Sequence, residues 1–95
     1  MLFQQAKEIV QEYFHKFNSD VECKVYNPEK GEAVFSDDYA AYELTQTDYG
    51  ITFKKRNIEM VLFDVYMIPV EDESLFYYLM QILEKWSKRT EENGI

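Results

Sequence analysis

The apolar residues of this chain repeat with a helical period at both ends and with a period of two in between. This change of period most constrains the fold. Residues 2–17 and 75–86 place apolar side chains three and four positions apart, as the inward face of an amphipathic helix does. Residues 21–68 instead form short segments in which apolar side chains recur at every second position, which is typical of β-strands. The pattern therefore predicts a helix, a set of strands and a second helix.

The connections between the alternating segments are short and contain turn-forming residues. Pro28 and Gly31 suit a tight turn, and Gly50 suits a position with a positive φ in a later turn. Short connections favour antiparallel neighbours, because parallel strands need crossovers of about a dozen residues. We therefore predict an α+β fold, α-β-β-β-β-β-α, in which N- and C-terminal helices cover one face of a five-stranded antiparallel meander sheet. The predicted strands are residues 21–26, 32–36, 39–47, 51–55 and 58–68.

Length and composition limit the class of protein. The 95 residues are 46% hydrophobic and 17% aromatic, so residues 1–95 are expected to form a single α+β domain. No apolar run approaches the ~18 residues that a membrane span needs, and the N-terminus lacks the basic and then apolar stretch of a secretory signal. We expect no membrane contact and a cytoplasmic location. Cys23 is the only cysteine, and its position in a strand predicts a small core residue.

The charge is strongly negative and unevenly distributed. The formal net charge is −8 at pH 7, and residues 31–53 and 57–84 contain acidic but no basic residues. Lys54, Lys55 and Arg56 form a basic island between these two windows. Nucleic-acid-binding proteins need lysine and arginine to displace counterions from phosphate. We therefore expect no direct nucleic-acid binding, and a basic protein is the partner that the charge favours.

The sequence contains no signature of catalysis. It has no glycine-rich phosphate loop, no metal-ligand spacing of histidine and cysteine, and no serine in a nucleophile motif. His15 falls on the polar face of the first helix, where we expect an exposed side chain. Asp37 and Asp38 are adjacent and suit a turn better than a cation site, because neighbouring strand residues point to opposite faces. We expect neither enzymatic activity nor a cofactor or metal.

Residues 36–50 alternate acidic residues with tyrosines and contain no base. One interpretation is structural: the rings pack while the acids keep an edge strand soluble. The other is functional, because tyrosine offers contact area at low entropic cost and acids attract a basic protein. Such a surface would imitate nucleic-acid phosphate. The predicted binding residues are Asp37, Asp38, Tyr39, Tyr42, Glu43, Asp48 and Tyr49.

The fifth predicted strand is apolar on both faces and is the longest, so we expect it inside the sheet. Its odd positions, Val61, Phe63, Val65 and Met67, are predicted to form the core face, against which Trp86 packs. Two arrangements remain for the even positions: one helix covers each face, or both helices cover the odd face and the even face meets a second copy. The second is favoured, because exposed apolar patches mark interfaces. The predicted dimer face comprises Met60, Leu62 and Tyr66.

Asp64 interrupts this apolar strand. If its face is buried, the carboxylate needs a partner such as Lys24, Lys54 or Arg56, and two copies of Asp64 would repel each other at a dimer interface.

Taken together, these features predict a non-catalytic acidic protein-binding module that acts on a basic protein partner, of the inhibitor, immunity or adaptor type. The chain is similar in general character, without a shared motif, to phage inhibitors of host defence, toxin immunity proteins and secretion chaperones. Alternatives are a small enzyme or ligand-binding domain, for which a deep polar pocket holding His15 or Asp64 would be the discriminating observation, and a secretion-chaperone-like dimer. A third is that the acidity serves solubility only.

Overall fold

The computed structural model describes residues 2–57, 62–69 and 74–93, with side chains for residues 2–57, 64–69 and 74–87. Five strands pair with their chain neighbours in the order β1-β2-β3-β4-β5, and every pair is antiparallel. The predicted α+β meander between terminal helices is confirmed. The elements are α1 (Leu2–Phe17), β1 (Glu22–Asn27), β2 (Glu32–Ser36), β3 (Ala40–Gln46), β4 (Gly50–Asn57), β5 (Leu62–Pro69) and α2 (Leu75–Asn93).

Both helices lie on one face of the sheet, as predicted. The apolar stripe of α1 ends at Phe14, whose ring centroid lies 6.0 Å from that of Phe35 in β2 and 4.7 Å from that of Tyr42 in β3. The stripe of α2 ends at Trp86, which contacts the same Tyr42 at 5.9 Å and Phe53 of β4 at 4.8 Å. One continuous core therefore joins α1, α2 and the same side of the sheet.

The prediction that the fifth strand lies inside the sheet is wrong, because β5 is an edge strand. A meander of hairpins necessarily leaves its first and last strands at the edges. The predicted core face is also wrong: Val65 and Met67 are 43% and 52% exposed, whereas Ile68 is buried opposite Ile51. Val61 and the side chain of Phe63 lie outside the described residues. The described side chains of β5 that face the helices are therefore those of Asp64, Tyr66 and Ile68, at even positions.

This exchange of the core and outer faces of β5 affects the predicted dimer face. Tyr66 is half-buried and packs against Trp86 with ring centroids 5.9 Å apart, so it contributes to the core that the helices cover. Trp86 packs on this even position and not on the odd positions as predicted. Met60 and the side chain of Leu62 lie outside the described residues. The even face of β5 is therefore not an open surface at Tyr66.

A register shift in β1 changes the faces of its side chains. Cys23 pairs with Phe35 and Val25 pairs with Val34, with an irregularity between Cys23 and Val25. Cys23 thus lies on the helix side of the sheet and Val25 on the other side, although strict alternation would place them together. Cys23 is exposed and not a core residue as expected. The reason is that β1 is an edge strand and its side chains from Glu22 to Tyr26 are all exposed.

Candidate protein-binding surfaces

The first turn of the acidic and aromatic segment is held together by one of its own acids. The Asp37 carboxylate accepts hydrogen bonds from the backbone N–H groups of Tyr39 and Ala40 at 2.8 and 2.9 Å. This arrangement is an Asx turn, in which the side chain replaces a backbone acceptor. Asp37 therefore has a local structural role between β2 and β3, and the turn leaves Asp38 and Tyr39 exposed.

The second turn lies at the opposite end of β3. The Thr47 hydroxyl accepts hydrogen bonds from the N–H groups of Tyr49 and Gly50, each at 3.2 Å, and leaves Asp48 and Tyr49 exposed. Seven residues of β3 separate the two turns. At a rise of about 3.3 Å per residue, the two exposed acid and tyrosine pairs are about 20 Å apart or more.

The two remaining residues of the predicted surface lie on opposite faces of β3. Tyr42 is buried in the core between Phe14 and Trp86. Glu43 points to the face without a helix, where its Oε2 atom lies 2.8 Å from Nε of Arg56. The seven predicted residues are therefore distributed over two turns, the core and the other sheet face, and do not form one surface.

Asp64 and its neighbours form a polar cluster that joins α2 to β5. Oδ2 of Asp64 accepts hydrogen bonds from the Trp86 indole N–H and from the Tyr66 hydroxyl, both at 3.1 Å. Lys85 in turn donates to the Tyr66 hydroxyl oxygen at 2.6 Å. These donors are not the predicted Lys24, Lys54 or Arg56. Asp64 lies on the helix face of the sheet, where its cross-strand neighbour in β4 is Lys55.

Tyr42 shows how strongly this region of the core excludes water. Burial raises the pKa of the Tyr42 hydroxyl to about 12, and the charges of Asp37 and Tyr13 act in the same direction. Nζ of Lys55 lies 5.6 Å from the centre of the same ring, within reach of a cation–π contact. Tyr42 is therefore a neutral core residue at physiological pH.

A groove of about 920 Å³ lies between α1 and the edge strand β1. Its apolar part comprises Phe14 of α1, Val21 before β1 and Phe35 of β2, all buried side chains that reach the groove wall. Cys23 also lines it, and this small side chain leaves space where a larger one would fill the groove. The side chains of β1 from Glu22 to Tyr26 are exposed, so the sheet edge beside α1 is open to solvent.

The polar wall of the groove is mainly acidic. Glu8 and Glu12 stand one helical turn apart on α1, and Glu22 lies opposite on β1. Glu22 also forms an exposed ion pair with Lys24 at 2.9 Å, which has little energetic weight in water. Lys7 is the basic residue among those that line the groove, and its Nζ lies 4.5 Å over the Tyr26 ring. The groove therefore combines a negative wall with an apolar one.

His15 also lines this groove, as an exposed side chain on α1. Its exposure was predicted, but its position in one groove with Cys23 was not, because the sequence does not reveal which side of α1 faces the edge strand. The sequence offered two signals for this groove. One is the helical spacing of Glu8, Glu12 and His15, and the other is the small side chain of Cys23.

Within residues 2–57, 62–69 and 74–93, no helix is long and apolar enough to cross a membrane. The same residues contain no group of three or more His, Cys, Asp or Glu side chains placed to hold a metal ion. Comparisons with known protein families, with characterised proteins and with solved structures found no match. The groove and the two faces of the sheet must therefore be interpreted from their own residues.

Proposed function

We propose that this chain is a non-catalytic binding protein that holds a basic segment of a protein partner in the groove between α1 and β1. The observation that supports this most is the acidic wall formed by Glu8 and Glu12 beside the apolar Phe14 and Phe35. Lysine and arginine side chains fit such a site, because their apolar stems cover hydrophobic surface while their charged ends reach carboxylates. The net charge of −8 adds long-range attraction for a basic partner.

The edge strand favours an extended segment. Among the described strands, β1 pairs with β2 alone, so its outer edge is available to pair with another strand. A segment that pairs there would direct alternate side chains toward the helix side of the sheet. Backbone hydrogen bonds would supply affinity, and the groove would select basic and apolar side chains.

This mode of binding suits an inhibitor or immunity protein. A basic partner that acts on nucleic acid attracts phosphate with its lysine and arginine residues. An acidic chain that occupies that surface prevents the partner from binding nucleic acid. An adaptor would use the same contacts without blocking an active site.

A synthetic peptide tests the proposal. The probe is a fluorescein-labelled, extended 12-residue peptide that alternates arginine or lysine with leucine or phenylalanine, and the control peptide replaces every basic residue by glutamate. We expect saturable binding of the basic peptide, detected by fluorescence anisotropy, and weaker binding as salt rises, since salt screens exposed charges.

Two double variants with the same change of charge locate the site. Glu8→Lys with Glu12→Lys alters the groove, whereas Glu29→Lys with Glu84→Lys alters exposed positions away from it. The groove variant should bind the basic peptide at least about tenfold more weakly than the control variant, as expected for reversed charges at a binding site. Equal losses for both variants would show that overall charge attracts the peptide and that the groove is not the site.

One observation favours the ligand-binding or enzymatic alternative: His15 and Cys23 line the same groove. A histidine that activates a cysteine makes the thiolate available near neutral pH. The alternative predicts that iodoacetamide modifies Cys23 rapidly at pH 6 to 7 in the wild type and slowly in His15→Gln. The same slow rate in both proteins would remove this support.

A further inference from the structure

We propose that the sheet face opposite the helices, called here the open face, binds a second copy of this chain. The open face comprises the side chains that alternate with the core positions along the strands, among them Val34, Glu43, Lys54 and Val65. None of the described helices packs on it. This inference concerns a different surface from the groove and does not depend on the proposed function.

Apolar side chains remain uncovered on the two edge strands of this face. Val25 of β1 is 45% exposed, and Val65 and Met67 of β5 are exposed to similar extents. Exposed apolar side chains that share one face are typical of an interaction surface. The strands in the middle of the open face instead carry charged residues, which determine the kind of partner that fits.

The strand register places two opposite charges side by side near the centre of the open face. Glu43 of β3 pairs with Lys54 of β4, and valines flank them on both sides. The complete row across the sheet is Val25, Val34, Glu43, Lys54 and Val65. When a two-fold axis passes between a negative and a positive residue, each residue can face the opposite charge of the second copy, so the surface is complementary to itself.

Only one orientation of the two-fold axis uses this complementarity. An axis parallel to the strands and midway between β3 and β4 places β3 of each copy over β4 of the other, in two sheets stacked about 10 Å apart. Glu43 then meets the partner's Lys54, and Val34 meets the partner's Val65. An axis through β3 perpendicular to the strands would place Glu43 against its own copy, and like charges would repel.

The size of the open face indicates how strong this association is. With the axis between β3 and β4, the strands β2 to β5 of the two copies overlap and β1 lies outside the overlap. Four strands spaced about 4.8 Å apart, each about six residues long, cover roughly 400 Å² in projection on each copy. The total of roughly 800 Å² is small for a specific interface and is typical of a weak one. We therefore expect a dimer in reversible equilibrium with the monomer, detectable at high protein concentration.

Complementary charge reversals provide a test. Glu43→Lys places lysine over the partner's Lys54, and Lys54→Glu places glutamate over the partner's Glu43, so each variant alone should self-associate at least about tenfold more weakly than wild type. In a mixture of the two variants, each residue 43 meets an opposite charge at residue 54 of the other chain. Sedimentation equilibrium should therefore show dimers in the mixture at close to the wild-type dissociation constant.

The outcomes separate the interface from a loss of folding. Glu43→Lys removes the ion pair between Glu43 and Arg56, whereas Lys54→Glu retains it. Circular dichroism of each variant therefore checks that the chain still folds. Recovery of dimers in the mixture supports the proposed interface, because two unfolded chains could not restore it. A wild type that stays monomeric up to about 1 mM, a single variant that dimerises like wild type, or a mixture that stays monomeric would each overturn the proposal.

Discussion

Replacement of Trp86 by alanine should destabilise the protein more than any other single truncation in α2. Trp86 is almost completely buried, and its ring contacts those of Tyr42, Phe53 and Tyr66 at centroid distances of 4.8 to 5.9 Å. Its indole N–H also donates to the Asp64 carboxylate at 3.1 Å. The substitution therefore removes both an aromatic contact with three strands and a hydrogen bond to a charged group.

The magnitude follows from these two losses. Truncation of a buried aromatic side chain to alanine costs about 3 to 5 kcal/mol through lost contacts and the remaining cavity. Loss of a hydrogen bond to a charged group adds about 1.5 kcal/mol, at the low end of the usual range because Tyr66 still donates to Asp64. We expect Trp86→Ala to lower the free energy of unfolding by about 5 kcal/mol. Trp86→Phe retains a ring but loses the donor, and it should cost about 2 kcal/mol.

Urea denaturation followed by far-ultraviolet circular dichroism measures these differences without using the fluorescence of the single tryptophan. The matched control is Tyr77→Ala, which removes an aromatic ring from the exposed side of the same helix. That control should change the free energy of unfolding by less than about 1 kcal/mol. A cost below about 2 kcal/mol for Trp86→Ala, or equal costs for Trp86→Ala and Tyr77→Ala, would contradict the packing of α2 on the even positions of β5.

Three further predictions test the turns, the core and the edge strand. Gly50→Ala should lower the free energy of unfolding by about 2 kcal/mol or more, measured by urea denaturation, because φ is 156° and a Cβ atom there would clash with the Ile68 carbonyl oxygen. The raised pKa of Tyr42, about 12 against 10.0 in the unfolded chain, means that the unfolded chain ionises first as pH rises. Stability should therefore fall between about pH 10 and pH 12 by roughly 2 to 3 kcal/mol from this group, and denaturation of Tyr42→Phe should lack that part of the decline. Cys23 is exposed, so an uncharged thiol reagent such as N-ethylmaleimide should modify it in the folded protein about as fast as in urea, whereas strong protection would place it in the core.

The element order could be predicted from the sequence because each element follows a local rule. The strand predicted at residues 32–36 matches β2, and the predicted end of the first helix matches the end of α1. Those assignments depend on hydrophobic period, short turns and turn residues, which act within a few positions along the chain. Antiparallel pairing then followed from the shortness of the connections.

The faces of β5 could not be assigned because both faces are apolar and the one polar residue misleads. Asp64 indicates an outward face by its charge, yet it lies on the helix side because Trp86 and Tyr66 donate hydrogen bonds to it. Those donors come from tertiary packing. Tyr66 lies two residues after Asp64, so alternation places its side chain on the helix side as well.

The candidate site also depends on tertiary placement. The groove requires the side of α1 that carries Glu8 and Glu12 to face β1, and no local pattern determines this placement. The acidic and aromatic segment was identifiable as unusual, but β3 separates its two turns and alternation places Tyr42 and Glu43 on opposite faces. A stretch that is continuous in sequence is therefore divided by the geometry of a single strand.

The most direct test of a basic segment in the groove is a nuclear magnetic resonance titration of the ¹⁵N-labelled protein with the alternating basic and apolar peptide. We expect the changes in backbone amide shift to concentrate on β1 and on the side of α1 that carries Glu8, Glu12 and His15. The amide shifts of Tyr39 and Tyr49 should stay unchanged. Shifts concentrated at the two tyrosine turns, or absent from β1 and α1 at saturating peptide, would contradict this expectation.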